Sequence, residues 1–172
     1  MMPNRFARVL RHLLTDQLAL RRAFPAVALE RIGQRIAEGE TRHCAEIRLA
    51  IEDSLDVRRV WAGSAPRERA LEVFATLRVW DTEANNGVLV YVDLADHAVE
   101  IVADRAAARA VGEAQWRTVA DELCEAYRRG EHLQGTLAAI ERMDGLLAVA
   151  FPAGERNPDE LPNPPAILSR GR

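Results

Sequence analysis

Not one lysine occurs in this chain of 172 residues; all 23 of its basic residues are arginine. That absence removes the P-loop lysine, the phosphate-binding lysine of kinases and any lysine Schiff base, and with them several large enzyme classes. Serine is scarce as well. Ser54, Ser64 and Ser169 include no Gly-x-Ser-x-Gly elbow, and no Gly-x-Gly-x-x-Gly loop follows a strand. The two cysteines, Cys44 and Cys124, lie far apart without metal or redox spacing, and read as buried thiols in a reducing compartment. The four histidines (His12, His43, His97, His132) lack ligand spacing such as His-x-x-x-His, so no structural zinc is expected. Long apolar runs are missing too. The longest, Leu146–Phe151, is far too short to span a bilayer, and no signal-peptide core follows the N-terminal arginines. A soluble, cytoplasmic protein is the expectation. A net charge of -3 argues against a general nucleic-acid binder.

What is present suits one domain: 48% of the residues are apolar, enough for a substantial core. Charge is unevenly spread. Residues 1–25 hold Arg5, Arg8, Arg11, Arg21 and Arg22 against Asp16 alone, about +4 there and roughly -7 over the remainder. Residues 5–23 read as a basic amphipathic helix with Phe6, Val9, Leu10, Leu13 and Leu14 on one stripe. Such a stripe either packs on its own domain or lies on an anionic membrane. Phe24-Pro25 breaks the pattern, and a second helix follows to about Gly39.

From Cys44 to Glu52 the period changes to two, with Ile47, Leu49 and Ile51 opposite Glu46, Arg48 and Glu52, as in a half-buried strand. Ser64 and Pro66 start a helix carrying Ala70, Val73, Phe74 and Leu77. Asn85-Asn86-Gly87 is turn chemistry. Val88–Asp93 is a strand covered on both faces, Asp93–His97 a tight reversal, and Val99, Ile101 and Ala103 the return strand of a hairpin. Helices follow over 112–129 and about 133–151. Five of eight prolines then fall in Pro152–Arg172, which predicts an extended tail outside the core. Three segments result: an N-terminal basic helix over 1–24, an α/β domain over 25–151 and a proline-rich tail over 152–172. The predicted fold is α/β, a three-layer α/β/α sandwich with a small mixed sheet containing a central β-hairpin.

The acidic turn draws most attention. Asp93 and Asp96 on a tight reversal can converge on a cation, helped by Asp104 or Asn86, although aspartate is also simply a favoured turn residue. An apolar strand ending in aspartate suggests a dehalogenase-type phosphatase nucleophile; that chemistry needs a general acid two residues on, where Ala95 stands. A second candidate is a partner or anion patch of Glu46, Arg48 and Glu100 on the polar faces of their strands, the alternative being an ion-pair network.

Cys44–Ile51 (CAEIRLAI), Asn86–Asp93 (NGVLVYVD), Asp96–Arg105 (DHAVEIVADR), Gly112–Trp116 and Tyr127–Gly135 (YRRGEHLQG) together resemble the TPM domain family, over roughly residues 25–151. The resemblance implies an α/β/α sandwich of a family often secreted or membrane-tethered, whose bacterial members can accompany LemA-type proteins. It implies a noncatalytic accessory role in assembling or maintaining a membrane-associated complex. Some members are reported to bind calcium, and weak acid phosphatase activity has been proposed for one. The implied site is Asp93 and Asp96, with Asp104; the implied cofactor is calcium. The implied partner is a membrane-associated TPM or LemA-type protein, with peripheral membrane contact through residues 5–23. The chain shows no signal, C-terminal span or glycine-rich tail typical of the family, which fits a soluble branch.

Overall fold

The fold is built outward from one strand. The structure, a computed structural model, describes residues 5–154 and 159–169. The expected segments 1–24 and 152–172 therefore lie partly outside the described residues. The elements run α1 (Arg5–Leu14), α2 (Gln17–Ala23), α3 (Ala26–Glu40), β1 (Ile47–Glu52), α4 (Val57–Ala62), α5 (Pro66–Thr76), β2 (Val88–Asp93), β3 (Ala98–Ala103), α6 (Arg105–Val111), α7 (Glu113–Arg128), α8 (His132–Ala150) and β4 (Ala166–Leu168).

β2 is buried along its whole length because it pairs on both sides, parallel to β1 and antiparallel to β3. Its valines and leucine favour such a doubly covered position. The strand order is β3-β2-β1-β4, a mixed sheet with the expected hairpin inside it. Gly87 opens β2 where the chain grazes its neighbour: a Cβ there would stand 2.0 Å from the Val79 carbonyl oxygen. Asn85 takes φ 52°, the left-handed turn geometry that its side chain tolerates.

Alternation along the strands sorts the core into two layers. Ile47, Leu49, Ile51, Val88, Val90 and Val92 face Ile32 and Ile36 of α3, Val119 and Leu123 of α7, and Ile140 and Leu147 of α8. Ala50, Leu89, Tyr91 and Val102 face Ala70 and Val73 of α5. Helices thus cover both faces, giving the three-layer sandwich. The expected single helix over 5–23 is two. Asp16 interrupts it by accepting hydrogen bonds from the N–H groups of Leu18 and Ala19, which caps α2.

Two expectations are corrected. β1 is not half-buried: all six of its residues are buried, charged ones included. The proline-rich stretch is not outside the core either. It supplies β4, parallel to the outer side of β1, and puts Leu161 into the α5-side layer. The polar face of β1 is covered because Arg48 donates to the carbonyls of Pro162 and Pro164, while Glu46 accepts from Leu161 N at 3.0 Å. Prolines suit this role, since they leave carbonyls free to accept. Leu161→Ala is expected to cost about 2 kcal/mol, the lower range for a buried leucine, because the site is near the surface. Urea unfolding checks this; a loss below about 0.5 kcal/mol would mean that the segment is not core.

Candidate functional site

Parallel pairing of β1 with β2 sets Glu52 beside Asp93 at the carboxyl ends of the two central strands. Both are buried. The chain then reverses through His97, at φ 51°. Asp93 shapes the reversal: its Oδ1 accepts from Asp96 N at 3.1 Å. Its Oδ2 is buried and has no hydrogen-bond partner among the described residues. Burial pushes the Asp93 carboxyl up to about 6, and the Asp96 charge adds to this.

The other carboxylate of the turn is saturated from an unexpected side. Arg8 and His12, one helical turn apart on α1, both reach Asp96. Arg8 Nε lies 3.1 and 2.9 Å from the two carboxylate oxygens, and Arg8 Nη2 donates to Oδ2 at 2.6 Å and to the Ser64 carbonyl at 2.8 Å. Arg11 Nη2 is 3.4 Å away and His12 Nε2 3.2 Å away. Burial alone would raise the Asp96 carboxyl. The His12 and Arg8 hydrogen bonds outweigh it and hold Asp96 below the usual carboxylate range. His12 is fully buried, and its Nδ1 accepts from Leu55 N at 3.0 Å. An imidazole that accepts at Nδ1 carries its hydrogen on Nε2, the nitrogen facing Asp96.

Glu52 completes the setting. It accepts the Tyr91 hydroxyl at 2.6 Å and two Arg69 hydrogen bonds at 2.9 and 2.8 Å. Burial and the neighbouring carboxylates push the Tyr91 hydroxyl well above its ordinary value, so it stays a donor.

With α1 bound by its polar side, its apolar stripe points outward. Phe6 and Leu14 are each 72% exposed, and Leu10 and Leu13 are exposed too. Leu18 of α2 and Trp61 of α4 extend the surface, with the Phe6 and Trp61 rings edge to face at 6.0 Å.

The residues expected to act together are mostly apart. Asp93 and Asp96 do converge. Asp104 does not join them: it caps α6 through Arg105 N at 2.7 Å, beyond the far end of β3, roughly 17 Å off at the usual rise per strand residue. Glu46 and Arg48 bind the chain's own C-terminal stretch, whereas Glu100 lies two strands away facing Arg67 at 3.5 Å. No shared patch forms, because the polar face of β1 was already covered. A separate acidic group, Glu40, Glu46 and Asp159, has oxygens within 4.8 Å of one another. Sequence reasoning missed Arg8, His12, Glu52 and Arg69. The spacing of Arg8 and His12 on the polar side of α1 was the one local signal.

Ligand-type atoms of His12, Asp93 and Asp96 also lie within 4.8 Å of one another. They do not fit calcium, which takes six to eight oxygens. Both Asp96 oxygens receive Arg8, His12 presents a hydrogen, and Asp93 Oδ2 is the oxygen left open.

Residues 22–146 match the family described as the TPM domain. Among solved structures, the chain is similar to the BA42 protein of the psychrophilic bacterium Bizionia argentinensis, at 28% identity and TM-score 0.74. The match covers 84% of this chain and 94% of that one. It is also similar to the N-terminal domain of a P. gingivalis protein at 18% identity and TM-score 0.55, covering 76% and 82%, a likeness of fold alone. No curated protein matches.

Proposed function

Because this chain belongs to the TPM domain family, we propose that it is a noncatalytic accessory domain that seats on an anionic membrane surface and helps assemble or maintain a complex there. The partner would be a membrane-associated TPM or LemA-type protein. The observation that carries the reading is the outward stripe of α1. A helix whose polar side is held by ion pairs leaves Phe6, Leu10, Leu13 and Leu14 for another phase. Arg5 and Arg11 on α1, Arg21 and Arg22 on α2 and Arg58 on α4 are exposed around it. Arginines beside an exposed apolar stripe suit the boundary between lipid headgroups and acyl chains. No described helix is long and apolar enough to cross a membrane; the proposal is of a helix lying on one.

The test is sedimentation with phosphatidylglycerol-containing vesicles. The full chain is expected to bind, and Leu10→Asp with Leu14→Asp to weaken binding at least about tenfold. Those positions leave Arg8 and His12 in place. Equal, negligible binding by both forms would end the membrane reading.

The rival reading is a calcium-binding module or weak metal-dependent acid phosphatase on the turn aspartates. The open Asp93 oxygen favours it; the guanidinium on Asp96 weighs against it.

A further inference from the structure

The acidic turn has a counter-ion, and the chain itself supplies it. We propose that Arg8 is the resident cation of the Asp93–Asp96 turn, and that its guanidinium and a divalent cation exclude one another there. The proposal is independent of the membrane reading, since α1 presents its apolar stripe while docked.

Three observations support it. Two carboxylates converge at the end of the sheet beside a third, Glu52. Glu52 is matched by Arg69, leaving the turn to be neutralised from elsewhere. Arg8 spans both oxygens of Asp96 and is anchored on the Ser64 carbonyl, so its charge sits against the carboxylate. Asp93 Oδ2, fully buried and without a hydrogen-bond partner among the described residues, is a donor that such a cation would use. Two cations a few ångströms apart repel, and in a partly buried site that repulsion is poorly screened. Removing Arg8 leaves the turn facing only Arg11, half exposed and 3.4 Å from Asp96 Oδ1, and His12 at 3.2 Å. The buried negative charge is then under-compensated and favours a proton or another cation. His12 offers a hydrogen rather than a lone pair, so the ligands left are oxygens, and the class expected is a hard cation such as calcium.

The experiment uses the full chain with calcium chloride as the probe, followed by calorimetry and thermal melting. The wild-type chain and Arg8→Lys, which keeps the charge, are expected to show no calcium heat at millimolar concentrations. Arg8→Ala is expected to bind at least about tenfold more tightly than wild type and to gain about 5 °C in melting temperature on saturation. Adding Asp96→Asn to Arg8→Ala is expected to abolish that gain. Should Arg8→Ala lack a cooperative transition, Arg8→Gln takes its place. Equal binding by wild type and the alanine variant would overturn the proposal. So would a folded alanine or glutamine variant without calcium binding, a lysine variant that binds like alanine, or a gain that survives Asp96→Asn.

Discussion

Asp144→Ala is expected to cost about 3 kcal/mol of folding stability, the lower end of the range for breaking a buried ion pair. Asp144 sits on α8, fully buried, where α8 meets α3 and the strand-leading loop. Its Oδ2 receives Arg35 at 2.8 Å and Arg42 at 2.9 Å; its Oδ1 is 3.1 Å from His43 Nε2. His43 is itself fully buried and meets the Ala45 carbonyl at 3.0 Å through Nδ1. Truncation would take the carboxylate from His43 in a dry site and one of its two carboxylate partners from Arg35. The lower figure applies because Arg35 keeps Glu141 and Arg42 reaches water. Gly39 permits the arrangement: a Cβ there would lie 2.3 Å from Asp144 Oδ1. Urea unfolding of Asp144→Ala and Asp144→Asn measures the effect. A loss under about 1 kcal/mol in the alanine variant would show that the cluster is not holding α3 to α8.

Stability is also expected to fall as pH rises from about 5 to about 8, with Glu40→Gln removing most of that slope. Glu40 ends α3, and its Oε1 accepts from Ile47 N at 3.0 Å where β1 begins. Burial pushes its carboxyl up to about 8, aided by the Glu46, Asp159 and Asp144 charges. The folded chain therefore keeps a proton that the unfolded chain releases above the ordinary carboxylate range. The native state binds more protons in that window, so stability drops with pH at up to about 1.4 kcal/mol per unit. A total on the order of 3 kcal/mol follows. Asp93 and Glu46, both raised by burial, act in the same direction. Asp96, held low by Arg8 and His12, acts in the opposite sense; its contribution is lost only as pH falls below the ordinary carboxylate range. Glutamine retains the acceptor for Ile47 N without a proton to lose. Urea midpoints against pH decide the matter: equal slopes in the two proteins would refute the assignment to Glu40.

The hairpin was legible because its causes are local. Asn85 and Gly87 set one end, Asp93 bonds its own turn at the other, and Val88–Val92 announce a covered strand. β4 was not legible. Three residues among prolines have no periodicity, and their partner strand lies more than a hundred positions earlier. α4 and α6 were missed because each is too short to show a full apolar stripe. In the site, the turn aspartates were visible but their environment was not. α1 reads as amphipathic, and amphipathicity predicts that the apolar side faces inward. Here ion pairs reach Asp96, 88 positions away, and turn the helix over. Likewise Glu52 meets Asp93 only through the parallel register of β1 and β2.

Arg48 and Pro164 are 116 positions apart. On a nascent chain, β1 would therefore find β2 long before the residues that cover its other edge emerge. Over that interval Ile47–Ile51 offers an unpaired edge, apolar at every position but Arg48, the kind of segment that recruits strands from other chains. A charged side chain in the midst of such a run is a recognised brake on aggregation. Arg48 would thus guard the strand against other chains while the protein is being made, and fasten the last strand in place once it is complete.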